Sequence, residues 1–193
     1  MYKDLVRLIN ENVSGANASL IVAEDPKMDS SILIEASKIF EVCQYLKTNE
    51  QFPFNALQVI SGVDFLDFLE VNYIFANFDL ERSYQLILKV RVTDRVNGHV
   101  QTIVPLYPAA NFQERECFDM LGIKFDNHPD HRRILCPDDW QGYPLRKDYI
   151  AQKVYRNMEV YPDNKMNMAD REFIVRQDMI KKAQGDASEQ TTH

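Results

Sequence analysis

Three acidic side chains lie close together on one predicted helix and could carry out acid–base chemistry: Glu114, Glu116 and Asp119. A general acid and a general base need carboxyl groups whose surroundings separate their pKa values. Each charge also has a structural explanation. Glu114 can form a capping box with Asn111 at the helix start, and Arg115 stands four residues before Asp119. These roles account for the charges, and we predict no catalytic residue here.

Two histidines form the second candidate site. His128 and His131 stand three residues apart, and imidazole is a common zinc ligand. Pro129 between them prevents the regular helix that would place both rings on one face. A third and a fourth ligand would have to come from neighbouring carboxylates or from Cys136. We therefore predict no metal site, and an independent metal hydrolase is kept as an alternative function.

Cysteine and glycine spacing excludes the self-contained cofactor motifs. The three cysteines form no CxxC pair and cannot by themselves supply the four ligands of an iron–sulfur cluster. The six glycines never cluster, so the sequence has neither a phosphate-binding P-loop nor a dinucleotide fingerprint. We predict that this chain binds no cofactor. The cysteines are Cys43, Cys117 and Cys136.

Composition narrows the class of protein further. The chain has 193 residues, 45% of them hydrophobic, which is enough to bury a core. Lys and Arg number 22 and Asp and Glu 29, so the net charge is −7 and no basic footprint for nucleic acid exists. Apolar runs are far shorter than the ~20 residues of a membrane helix. The start, MYKDLVRLIN, lacks the apolar core of a signal peptide. We expect a cytosolic or peripheral protein.

The elements that must position these residues follow from hydrophobic periodicity. Residues 1–14 and a segment from Ser37 show helical spacing, and period-two alternation over 56–104 predicts an antiparallel meander. Asn97-Gly98 predicts a two-residue hairpin before the last of these strands. We therefore predict an α+β domain over 1–110, with a mixed or antiparallel sheet and covering helices.

Charges, aromatic residues and prolines are interleaved over residues 111–149. One short helix is predicted there, ending at Gly122, and the rest should be largely irregular. A free surface loop does not need this mixture, which is typical of a surface that docks on a partner. Residues 150–193 are predicted to form an extended C-terminal tail with a possible helix over 169–183.

The docking segment carries a long signature, in the runs ERECFDMLGIKF, HPDHRRIL and PDDWQGYPLRKDY. These runs resemble the C-type, 30-kDa subunit family of respiratory NADH:quinone oxidoreductase (complex I). The resemblance implies a cofactor-free structural subunit of the peripheral arm, which docks on the D-type (49-kDa) subunit near the B-type subunit. FMN, iron–sulfur clusters and quinone are then expected on other subunits.

The same resemblance implies a peripheral position on the cytoplasmic face of the inner (plasma) membrane, with membrane contact only through the complex. It also identifies the residues expected at the partner interface: Arg115, Glu116, Asp119, Arg132, Arg133, Asp139, Trp140, Arg146 and Lys147. An alternative is the equivalent subunit of a membrane-bound hydrogenase or of an F420- or ferredoxin-linked dehydrogenase, which differs in the electron donor held on other chains.

Overall fold

The computed structural model describes residues 1–23, 29–78 and 83–160, together with Val175, Arg176 and Met179. The helices and strands of the first compact unit, Met1–Trp140, are α1 (Tyr2–Asn12), β1 (Ser19–Ile21), β2 (Ser31–Ile34), a 3₁₀ turn (Ala36–Lys38), α2 (Ile39–Thr48), β3 (Ala56–Asp64), β4 (Leu69–Phe78), β5 (Ser83–Val92), β6 (His99–Gln101), α3 (Ala110–Leu121) and β7 (Lys124–Asp126).

Five strands form a mixed sheet in the order β1-β2-β5-β4-β3. β3, β4 and β5 are antiparallel neighbours, and β2 runs parallel to β5. Alternation places one side chain in two on the buried face, such as Tyr73 and Phe75 on β4. The apolar faces of α1 and α2 join the same core. The predicted α+β class, with a mixed sheet and covering helices, is confirmed.

One predicted strand pairing is wrong. The chain does turn near Asn97, where Asp94 Oδ1 accepts hydrogen bonds from the backbone N–H groups of Val96 (2.9 Å) and Asn97 (2.8 Å). The following strand β6 leaves the five-stranded sheet and pairs in parallel with β7. The side chain of Asp94 accepts the hydrogen bonds of the turn, and no two-residue hairpin forms. β6 lies instead beside β7, the strand that follows α3.

Helix α3 covers the edge of the five-stranded sheet. β3 is the edge strand, and the side-chain amide of Gln113 replaces a missing strand there. It accepts a hydrogen bond from the backbone N–H of Ile60 and donates one to the carbonyl of Gln58 (3.5 Å). Covering an edge in this way prevents pairing with another chain. It also fixes α3, which carries the first part of the signature, from Glu114 to Leu121, against the domain.

Gly62 on β3 faces Leu121 at the end of α3, and this contact gives a first prediction. A Cβ added at Gly62 would overlap the buried side chain of Leu121. We expect Gly62→Ala to destabilise the chain by about 1–3 kcal/mol, because Leu121 cannot move without disturbing the core. Ser61→Ala, on the exposed face of the same strand, is the matched control. Chemical unfolding of both variants measures the difference, and equal stabilities would contradict this packing.

The second compact unit begins at Gln141. Its described part contains a small hairpin of β8 (Val154–Tyr155) and β9 (Met158–Glu159). The helix predicted over 169–183 lies largely outside the described residues; Val175, Arg176 and Met179, which are described, are helical. Within the described ranges, no helix combines the length and the hydropathy needed to cross a membrane.

Candidate docking site

Asp119 is the centre of the signature segment. It lies on the last turn of α3 and is fully buried. Its Oδ2 accepts hydrogen bonds from three consecutive backbone N–H groups: Ile134 (3.1 Å), Leu135 (2.6 Å) and Cys136 (2.8 Å). Three converging N–H groups make an anion-binding concavity. The end of the RRIL run, together with Cys136, is therefore wrapped around one carboxylate.

Arg133 forms the ion pair with the Asp119 carboxylate. Its Nη1 donates to Asp119 Oδ1 at 2.7 Å and to the Asp119 carbonyl at 3.1 Å. Its Nη2 donates to the carbonyl of Trp140 at 3.3 Å. Burial alone would raise the pKa of Asp119, but hydrogen bonds from Cys136, Leu135 and Arg133 outweigh burial and lower it. Asp119 is thus a paired anion that ties the helix to the loop.

Arg115 makes a second link between α3 and the following segment. This nearly buried guanidinium lies 3.1 Å from Asp130 Oδ2, and its Nε donates to the carbonyl of Arg132 at 3.2 Å. It also lies over the ring of Phe112, 5.5 Å from the centroid. The predicted helical pair of Arg115 with Asp119 is wrong, because each residue is paired with a segment beyond the helix instead.

Other charged side chains of the docking segment are exposed, unlike Asp119 and Arg115. Arg132 donates from Nε to Asp130 Oδ1 at 2.8 Å, and this hydrogen bond is the main reason why the pKa of Asp130 lies below its usual value. Glu116 and Asp139 are exposed, and Trp140 is half-buried. Exposed charges of this kind contribute little to folding, so a partner surface can engage them without disturbing the fold.

Glu114 has a different role from the one predicted. The N-cap of α3 is Ala109, without a side-chain capping bond. Glu114 instead points into the core, where Oε1 accepts from the backbone N–H of Ile103 (2.9 Å) and Oε2 is 2.5 Å from the hydroxyl of Thr102. Burial raises its pKa to about 7. The capping-box prediction is wrong because the carboxyl links α3 to the segment after β6.

The two histidines form hydrogen bonds with backbone groups through their ring nitrogens. His128 Nδ1 accepts from the N–H of Asp130 (3.0 Å), which leaves Nε2 to donate to the Asn111 carbonyl (3.1 Å). His131 Nε2 accepts from the N–H of Phe125 (3.0 Å). Burial lowers the pKa of both imidazoles. A metal at this position would have to displace these bonds.

No group of three or more His, Cys, Asp and Glu side chains that could hold a metal ion occurs among the described residues. The cysteines do not offer an activated thiol either. Burial raises the pKa of Cys43 and takes that of Cys117 to about 12, and burial also raises that of Cys136. A nucleophilic cysteine requires the opposite shift.

The remaining predicted interface residues belong to the second unit. Arg146 is half-buried and lies over the ring of Tyr143, 4.6 Å from the centroid, whereas Lys147 is exposed. In the same unit, Gly142 has a φ of 78°, a conformation that side chains rarely adopt, and a Cβ added there would lie 3.0 Å from the ring of Tyr149. The aromatic residues Tyr143 and Tyr149 thus flank the PLRKD run.

The structure thus brings together Arg115, Asp119, Arg132 and Arg133 of the predicted interface residues. Sequence reasoning missed Asp130 as the partner of both Arg115 and Arg132. The signal was its place in the HPD run, two residues before the paired arginines. A surface segment that is tied down by the Asp119–Arg133 and Arg115–Asp130 ion pairs and carries exposed charged and apolar side chains has the features expected of a docking surface.

The comparison with known families is specific. The model of the family described as "Respiratory-chain NADH dehydrogenase, 30 Kd subunit" matches residues 32–155. The match covers well over half of the chain and includes β2 from Ile32 onward, β3 to β5, α3 and the signature segment, while β1 lies outside it. The chain therefore belongs to this family.

Curated relatives agree with the family assignment. The C-type subunit of the NADH-quinone oxidoreductase of Chloroherpeton thalassium is 42% identical over 118 residues, covering 60% of this chain and 48% of the relative. The same subunit of Salinispora tropica is 36% identical over 137 residues (68% and 56%), and that of Geobacter sulfurreducens is 33% identical over 137 residues (70% and 83%). The chain spans about half the length of the first two of these relatives.

A solved structure shares the fold. The match has a TM-score of 0.62 at 23% identity and covers 86% of this chain and 97% of the other. That chain belongs to the membrane-bound sulfane sulfur reductase, described as an archaeal respiratory membrane complex. The two chains therefore share their fold.

Proposed function

We propose that this chain is a structural subunit of the peripheral arm of an NADH:quinone oxidoreductase. It docks on the D-type (49-kDa) subunit, adjacent to the B-type subunit, and supports electron transfer from NADH to quinone coupled to ion translocation. The chain itself carries no cofactor or active site; FMN, the iron–sulfur clusters and quinone are on other subunits. Its place is the cytoplasmic face of the membrane, which it contacts only through the complex.

The observation that carries the proposal is the Asp119-centred loop. A buried carboxylate fixes Ile134, Leu135 and Cys136 through their backbone, so the loop is held without help from a partner. The loop leaves Leu135 exposed on its outer side. An ordered, pre-formed surface loses little conformational freedom on binding, which favours stable association. Membership of the 30-kDa family agrees with this role.

Gene deletion tests the proposal. Membranes of the native host that lack this chain should lose NADH:quinone oxidoreductase activity, and a plasmid copy should restore it. The oxidation of NADH by an artificial acceptor should be retained more than the quinone-linked activity, because that reaction needs only the electron-input subunits. Full quinone-linked activity in the deletion strain would contradict the proposal.

Two arginines of the predicted interface give the second prediction. We expect Arg133→Ala and Arg146→Ala each to lower the amount of assembled complex, since removing one member of a desolvated pair costs on the order of 2–5 kcal/mol. Arg133 acts through Asp119, whereas Arg146 lies in the second unit. Arg7→Ala on the exposed face of α1 is the control. Native gels of solubilised membranes measure assembly, and wild-type amounts in both variants would count against these contacts.

A further inference from the structure

His128 links the HPD turn (residues 128–130) to α3 through both nitrogens of its ring. The backbone N–H of Asp130 donates to Nδ1 at 3.0 Å, and Nε2 lies 3.1 Å from the carbonyl oxygen of Asn111, in the first turn of α3. A ring nitrogen that accepts a hydrogen bond carries no proton, so the proton is on Nε2 and the ring is neutral. These contacts therefore require one tautomer in one charge state.

Asp130, whose backbone His128 holds, organises two arginines of the predicted interface. Its Oδ2 lies 3.1 Å from Nη1 of Arg115, and its Oδ1 accepts from Nε of Arg132 at 2.8 Å. The side chain of Arg132 is 69% exposed and that of Asp130 is 41% exposed, so a partner surface can reach both. A ring that fixes the backbone of Asp130 therefore also fixes how these charges face a partner.

The groups around the ring of His128 determine how it responds to acid. On α3, Glu114 Oε2 lies 3.8 Å from Nε2, and both side chains are fully covered. Glu114 keeps its own proton below its pKa of about 7, so it offers no anion to a charged ring in acid. Arg115 and the ring of His131, 5.8 Å away, oppose a further positive charge, whereas Asp130 attracts it. Burial is the main reason why the pKa of His128 is lowered.

We infer that His128 is a positioning residue of the docking site: the neutral ring holds Asp130 in place for the partner subunit, and protonation of the ring in acid opens the turn and weakens docking. The inference rests on the proposed function and adds its regulation by pH. A proton on Nδ1 would face the N–H of Asp130, donor against donor, so the ring cannot become charged while the turn is closed. Because the pKa of the ring is lowered in the closed turn, docking is complete above pH 6.5 and weakens as the pH falls below it.

Washing native membranes at graded pH measures the release of the tagged chain from the complex. The affinity of the wild-type chain should weaken by up to about tenfold between pH 7.5 and 5.5, which is the limit for one histidine that titrates near 6.5 when released. His128→Asn keeps an acceptor near the position of Nδ1 and does not ionise, so it should flatten this dependence. His128→Ala should lower assembly already at pH 7.5. His99→Asn, at a half-exposed histidine outside the docking segment, should release as the wild type does.

Nitrogen NMR of the purified full chain tests the tautomer without any partner. At pH 7.5, the ring of His128 should carry a proton on Nε2 and none on Nδ1. A proton on Nδ1 overturns the inference, and so does equal acid release of the wild type and His128→Asn from a complex that is stable at pH 7.5. If the wild-type chain purifies without respiratory subunits at pH 7.5, the proposed function itself fails, and the two failures are thereby distinguished.

Discussion

An Asp119→Ala variant is expected to lose about 3–5 kcal/mol of unfolding free energy and to leave the complex unassembled. The substitution removes the acceptor of three backbone N–H groups and the partner of Arg133. The guanidinium would remain largely covered without its anion, and the loop would lose its only described carboxylate anchor. Urea unfolding of the purified chain, together with native gels of membranes, measures both effects.

Two further variants make this result specific. Asp119→Asn keeps the shape but places an amide among hydrogen-bond donors, so it should lose about 2 kcal/mol. Glu116→Ala removes an exposed carboxylate from the same helix and should change the unfolding free energy by less than about 0.5 kcal/mol. If Asp119→Ala were as stable as Glu116→Ala, the account of the loop would be wrong.

The second large effect concerns the buried carboxyl of Glu114. Its pKa is about 7 in the folded protein, against 4.5 for the ordinary value, because burial disfavours the charged form. The folded state therefore keeps a proton that the unfolded state has lost between these pH values. The contribution of Glu114 to the free energy of unfolding is complete below pH 4.5 and falls by about 3 kcal/mol as the pH rises through 7.

Glu114→Gln should remove this dependence, since the amide keeps an acceptor for the N–H of Ile103 and does not ionise. The difference in unfolding free energy between wild type and variant should change by about 3 kcal/mol between pH 4.5 and 8. His128, whose pKa is lowered, acts in the opposite direction, because its contribution is lost as the pH falls below 6.5. Because His128 Nε2 lies 3.8 Å from Glu114 Oε2, the two groups are coupled, and the difference between the pH curves of wild type and variant reports the titration of the pair. Glu116→Gln is the matched control on the exposed face, and identical pH curves for the two variants would contradict the burial of Glu114.

The elements of this fold were largely predictable, and their pairing was less so. Alternation along β4 and β5 predicts strands because each strand has one buried face. Periodicity cannot reveal that β6 leaves the sheet, since the reason is a long-range pairing with β7 beyond α3. Neither Asn97 nor Gly98 has the positive φ that the predicted hairpin turn needs; the chain turns instead around Asp94, which accepts hydrogen bonds from the N–H groups of Val96 and Asn97.

In the candidate site, too, the general character was predictable from the sequence and the individual pairings were not. The interleaved charges predict a docking surface, but which carboxylate pairs with which arginine depends on how the segment folds back over α3. Local spacing predicted Arg115 with Asp119, whereas the fold pairs Asp119 with Arg133 and Arg115 with Asp130. The local sequence predicts Glu114 as a capping residue, whereas its burial depends on the packing of the whole domain.

The most direct test of the central claim is purification of the tagged chain from its native membranes in mild detergent, with mass spectrometry and an NADH:quinone activity assay on the eluate. We predict co-elution with the D-type (49-kDa) and B-type subunits and with the flavin and iron–sulfur subunits, together with quinone-linked activity. Co-elution with hydrogenase subunits, or a chain that elutes alone although the other subunits are expressed, would contradict the account.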